Sequence, residues 1–163
     1  MSDNTVGKKA EEKISEWLDR PEDGYSFDRI PDQMTGKWGS KNICDFTCFK
    51  SPYMYYIESK ATYEDRFNFS MLSDTQYKGL LEKSKIHNVF GIVIVLFATY
   101  QRAFILDIRD IAKHIQNGKK SLNIKKMDNW PSYIRYHEIA TVSNNRKFYL
   151  DYIGDLPIFR KDA

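Results

Sequence analysis

The sequence is short of everything that marks an exported or membrane protein. It has two cysteines, Cys44 and Cys48, in 163 residues, too few for a disulfide framework or a four-cysteine zinc site. Its longest apolar run, Val89 to Thr99, falls well short of the ~20 residues that cross a bilayer. The first residues, MSDNTVGKKAEEKISEW, hold no apolar core of signal-peptide kind. These absences predict a cytoplasmic protein with no membrane partner. No Gly/Ser linker, low-complexity tract or fixed-period repeat interrupts the chain. One domain over residues 1–163 is the expectation, since single cores usually take roughly 100 to 200 residues.

A strong excess of one charge sign is also missing: 25 Lys plus Arg stand against 22 Asp plus Glu, for a net charge of +3. The balance hides a gradient. Residues 1–24 carry 4 basic and 7 acidic groups, whereas residues 108–163 carry 11 and 6. The C-terminal third therefore holds the positive potential, and an anionic partner has to be argued from where the charges sit. What the chain does have is apolar and aromatic surface, at 42% and 15% of its residues. That is enough to offset the conformational entropy of folding and excludes global disorder.

Along the chain, Ala10, Ile14, Trp17 and Leu18 recur at helical spacing and predict a helix from about Lys8 to Asp19, stopped by Pro21 and Gly24. Tyr25 to Ile30 reads as a strand before the turn-rich stretch Pro31 to Lys41. Cys44–Lys50 and Met54–Ala61, joined through Ser51 and Pro52, read as a hairpin. Ser73 followed by Gln76 is a capping-box signature for a helix to about Lys85. Val89–Phe97, almost continuously apolar and β-branched, has the composition of a central strand covered on both faces. Arg102–Ile108 predicts a further strand and Arg109–Gln116 a short helix; Tyr133–Val142 and Lys147–Ile153 are late strand candidates. The expected class is α/β, a mixed sheet flanked by helices in α-β-β-β-α-β order with C-terminal additions.

Within MYYIESKA, side chains alternate, so Glu58 and Lys60 share one strand face. A hairpin symmetric about the Ser51-Pro52 bond sets Asp45 opposite Glu58. Two carboxylates across a strand pair, at about 4 Å and an effective dielectric near 20, repel by on the order of 4 kcal/mol. A hard divalent cation, which takes one or two carboxylates together with water and phosphate oxygens, would neutralise them. Taken alone, Glu58-x-Lys60 fits a solvated strand face equally well. Gln76 can steady a metal shell or a phosphate, or serve only as a helix cap. Lys119, Lys120, Lys125 and Lys126 can contact phosphates or form an ordinary solvated face. His87, His114 and His137 have no metal-ligand spacing. Cys44 and Cys48, four apart, are expected on one strand face as small buried hydrophobes.

Asp45 followed by Glu58-x-Lys60 at the end of a hairpin resembles the PD-(D/E)xK nuclease superfamily. More narrowly, Arg29 to Ala61 (RIPDQMTGKWGSKNICDFTCFKSPYMYYIESKA) resembles RecU-type Holliday junction resolvases, especially bacteriophage forms. Phe67–Ser70, Gln76–Leu81 and Gly118–Ile124 are similar to them as well. The resemblance implies a restriction-endonuclease-like core and a Mg²⁺- or Mn²⁺-dependent endonuclease acting as a homodimer on branched DNA. It implies Asp45 and Glu58 as metal ligands, Lys60 as the group that orients or deprotonates the attacking water, and Glu11 as a further acid from the first helix. The family's Phe-Glu pair is Ala10-Glu11 here, and the Pro before the Asp is Cys44. Gln33, Lys37 and Lys41, in a loop that would project toward the junction centre, join Gln76, Lys119 and Lys120 as expected DNA contacts. Two other functions stay open on the residues: a nuclease of duplex ends or branched replication DNA, and a non-catalytic DNA-binding module.

Overall fold

The computed structural model describes residues 3–31, 41–144, 147–150 and 156–159. Helix α1 (Asp3–Leu18) begins earlier than the expected Lys8, because buried Val6 carries the apolar stripe of Ala10, Ile14, Trp17 and Leu18 back one more turn. At its far end the Arg20 Nε donates to the Trp17 carbonyl at 3.1 Å, and the guanidinium lies over the indole.

Strands β1 (Tyr25–Arg29), β2 (Phe46–Lys50) and β3 (Tyr53–Thr62) form an antiparallel meander. Phe46 pairs with Ile57 and Lys50 with Tyr53, the register expected from symmetry about the Ser51-Pro52 bond. A short strand β4 (Arg66–Asn68), a 3₁₀ turn at Phe69–Met71 and helix α2 (Asp74–Lys83) then cross to β5 (Val89–Phe97), which lies parallel to β3. Strand β6 (Arg102–Asp107) returns antiparallel to β5 and leads into helix α3 (Ile108–Gln116) and the short strand β7 (Ser121–Asn123). Strand β8 (Tyr136–Ile139) completes a six-stranded sheet of order β1-β2-β3-β5-β6-β8, mixed because only β3 and β5 run parallel. The helix-strand order and the flanked mixed sheet are those expected from the sequence.

Strand β5 explains why the fold closes on two cores. Phe90, Ile92, Ile94 and Leu96 face α1 together with Tyr55 and Ile57 of β3. Val93, Val95 and Phe97 face the α2 and α3 side with Leu80, Ile111 and Phe104. A strand covered on both faces needs apolar residues at every position, which is why its sequence does not alternate. Two glycines let α2 lie close to the sheet: a Cβ on Gly91 would sit 2.5 Å from the Leu80 carbonyl oxygen, and one on Gly79 2.3 Å from the Ile43 side chain. The Gly91 N–H also donates to Ser84 Oγ at 2.8 Å.

Three expectations need correction. Cys44 and Cys48 do not share a face: Cys44 precedes β2 and packs on the α2–α3 side, while Cys48, inside β2, packs under α1. The stretch expected as one strand from Tyr133 to Val142 divides, since β8 joins the sheet while β9 (Thr141–Asn144) pairs with β10 (Lys147–Leu150) as a separate hairpin. Strands β4 and β7 also pair with each other, a ladder not expected because three-residue strands carry no readable periodicity. Among the described residues, no helix is long and apolar enough to cross a membrane.

Candidate active site

The hairpin and the crossover meet at one end of β3, around a cleft of about 690 Å³ lined by Glu11, Asp45, Glu58, Lys60 and Gln76, with Met71 and Glu64 at its sides. Asp45 is fixed from three directions. Its carbonyl accepts from the Ile30 N–H at 2.8 Å, its N–H donates to the Ile57 carbonyl at 3.0 Å, and its Oδ2 accepts from the Ser59 N–H at 2.8 Å. The side chain thus substitutes for the ladder partner that β3 lacks beyond the start of β2.

Glu58 is 1% exposed. Its Oε1 takes two donors, Gln76 Nε2 at 2.7 Å and Lys60 Nζ at 2.7 Å, while its buried Oε2 has no hydrogen-bond partner. Burial, and next the charge of Asp45, push the Glu58 carboxyl up to about 7; Lys60 only partly opposes them, and Glu11 adds to the rise. Gln76 is part of the helix cap and also a neighbour of Glu58. Its Oε1 accepts from the Ser73 N–H at 2.9 Å and its backbone N–H donates to Ser73 Oγ at 3.2 Å, the capping box, which leaves Nε2 for Glu58.

Of the residues singled out in the sequence, Glu11, Asp45, Glu58, Lys60 and Gln76 come together in this cleft. Glu11 Oε2 accepts from Arg29 Nη2 at 2.6 Å. Arg29, on β1, was not foreseen, and nothing in a lone arginine eighteen residues along the chain could have pointed to it. Lys119 and Lys120 lie instead on a neighbouring pocket beyond the N-terminus of α2, and Lys41 is exposed ahead of Asp45. Gln33 and Lys37 lie outside the described residues. Cys44 is buried beside the site, and burial pushes its thiol up to about 12, so it stays a protonated packing group.

The donor set fits a hard divalent cation. A buried carboxylate oxygen without a partner stands in one cleft with the carboxylates of Glu11, Asp45 and Glu64 and the single ammonium of Lys60. Among the described residues, no group of three or more His, Cys, Asp or Glu is gathered as a closed metal cage. Asp45 and Glu58 are acids of the kind that Mg²⁺ takes one or two of, its shell being otherwise water and substrate phosphate.

A family model described as RecU, Recombination protein U, matches residues 28–154. The chain belongs to the RecU family. Membership places it among recombination proteins of the Holliday junction resolvase class, which are nucleases. The match takes in Asp45, Glu58, Lys60 and Gln76 but leaves out the whole of α1, so Glu11 lies outside the RecU span. A 1.6 Å structure of Hjc from Archaeoglobus fulgidus, titled a Holliday junction resolvase from an archaeal hyperthermophile, is similar at 13% identity with a TM-score of 0.43, over 66% of this chain and 78% of that one. No curated protein matches the chain.

Proposed function

We propose that this RecU-family chain is a divalent-metal-dependent, structure-selective endonuclease that resolves four-way DNA junctions by nicking two symmetric strands. The observation that carries the reading is the under-neutralised pair of acids: Glu58, buried with Oε2 unpaired and its carboxyl raised to about 7, beside Asp45. Burial of this kind is costly for the charged pair and is relieved when a proton or a positive ion enters.

Asp45 and Glu58 would hold Mg²⁺ or Mn²⁺. Bound there, the ion supplies charge neutralisation at the scissile phosphate and a more acidic water. The protein's own groups set the geometry. Ser59 N–H fixes the Asp45 carboxylate, and Gln76 fixes that of Glu58. Lys60 Nζ, 2.7 Å from Glu58 Oε1, would orient the attacking water or help to deprotonate it. Lys41, Lys119 and Lys120, all exposed, offer charge to flanking phosphates. Each protomer provides one such cleft, so two symmetric nicks call for a homodimer, working in the cytoplasm where branched DNA arises.

Cleavage of a synthetic four-way junction is compared with a linear duplex and a flap at one salt concentration, in Mg²⁺ and in EDTA. Paired nicks on opposing strands of the junction, dependent on metal and retained at salt that abolishes duplex cutting, are the expected result. Equal cutting of all three substrates would replace junction resolution with general nuclease activity.

A further inference from the structure

A second pocket, of about 420 Å³, adjoins the cleft on the far side of the same elements. Met71 and Gln76 line the cleft, while Phe69, Ser70, Asp74 and Tyr77 line the pocket, so the Phe69–Met71 turn and the first turn of α2 form one partition between two hollows. The pocket falls within the ~300 to 1,000 Å³ of small-ligand sites. Phe69 and Leu72 are nearly buried there, and Ile115, at the end of α3, is 37% exposed.

The mouth carries Lys119 and Lys120. Both are held in place by the main chain: the Lys119 N–H donates to the His114 carbonyl at 3.1 Å, and the Lys120 carbonyl accepts from the Phe69 N–H at 2.9 Å. The His114 ring in turn meets the Phe69 ring edge-on at 5.8 Å. The turn at Gly118, with φ of 77°, brings the two lysines back over the pocket. Asp74, whose side chain is 93% exposed, lies at the solvent side of the pocket and is approached by Lys78 at 3.7 Å.

We propose that this pocket takes one nucleotide of the DNA strand beside the scissile phosphate, with its base inward and its phosphate toward Lys119 and Lys120. The inference rests on the nuclease reading above. Two observations set the orientation. Apolar and aromatic walls suit the face of a base, which stacks without regard to sequence. The cations stand at the rim, where a backbone phosphate would lie. The pocket therefore takes a base of any identity and fixes the strand beside the cut.

The test uses four-way junctions carrying an abasic residue at each position in turn around the mapped cut. One position is expected at which losing the base slows wild-type cleavage by about tenfold or more. Ile115→Glu, at an exposed site, and Tyr77→Ala are expected to cut the intact and the abasic junction at the same rate. Wild-type cutting indifferent to every missing base would overturn the pocket while leaving the nuclease reading standing, as would variants that keep the full wild-type discrimination. A chain that cuts no DNA would overturn both.

Discussion

Two parts of this molecule are spelled alike and built oppositely. Glu58-Ser59-Lys60 and Asp107-Ile108-Arg109 are both an acid, an apolar or small residue and a base, and both acids are 1% exposed. At the second, every charge is answered. Asp107 receives Arg109 through its backbone N–H at 2.8 Å and its guanidinium at 2.5 to 3.0 Å, and Arg135 grips neighbouring Asp110 with Nε at 2.9 Å and Nη2 at 2.8 Å. Arg109 Nη2 also donates to the Phe159 carbonyl at 2.8 Å. Two carboxylates meet two guanidiniums in forked geometry, an arrangement that closes on itself. At the first, two carboxylates meet one ammonium and one amide, and an oxygen is left over. Buried acids mark a functional site by the compensation they lack rather than by being buried.

The sharpest way to break that comparison is Asp45→Asn. Junction cleavage in Mg²⁺ should fall roughly a thousandfold or more. The melting temperature should hardly move, because the new carbonyl still accepts from the Ser59 N–H. Undiminished cleavage would leave the under-compensated site without a catalytic purpose.

The next effect belongs to the closed cluster. Arg135→Ala strips Asp110 of its guanidinium and should cost about 3 kcal/mol or more in urea unfolding, with the rate of cutting by the folded protein unchanged. Destabilisation below about 1 kcal/mol would mean that the cluster is not closed in the sense argued here.

Glu58→Gln should instead stabilise the metal-free protein, by about 2 kcal/mol at pH 8. The sign follows from the raised carboxyl, whose value of about 7 in the fold stands above the ordinary 4.5. Its destabilising effect is absent below the ordinary value, grows between the two, and is complete above 7. Wild type should lose stability on going from pH 5 to pH 8 without metal, and the variant should not. Added Mg²⁺ should restore the wild type alone. The smallest effect is expected from Lys119→Ala with Lys120→Ala: a salt slope of junction binding shallower by about two.

Long-range features were readable where one physical demand acted on many residues. Val89–Phe97 has to be apolar throughout because both faces are covered. The hairpin register follows from symmetry about the Ser51-Pro52 bond, which brings Asp45 near Glu58. Gln76 was legible as a cap and only conjectural as a neighbour of Glu58, since the second contact depends on how closely α2 approaches the sheet, a distance set by Gly79 and Gly91. The Glu11–Arg29 pair and the division of β8 from β9 depend on single contacts between remote segments, which leave no periodic trace. Cys44 and Cys48 were misassigned to one face because alternation holds only within a strand, and Cys44 precedes its start.

The bond from Ser59 N–H to the Asp45 carboxylate has a spectroscopic consequence. Most strand amides point at carbonyls, whose charge is fixed; this one, at 2.8 Å, points at an oxygen whose charge changes when a proton or an ion arrives. In a ¹⁵N-labelled sample the Ser59 amide resonance becomes a gauge of the acid pair, moving with pH and with added cation while the amides of β5, one strand away, stay still.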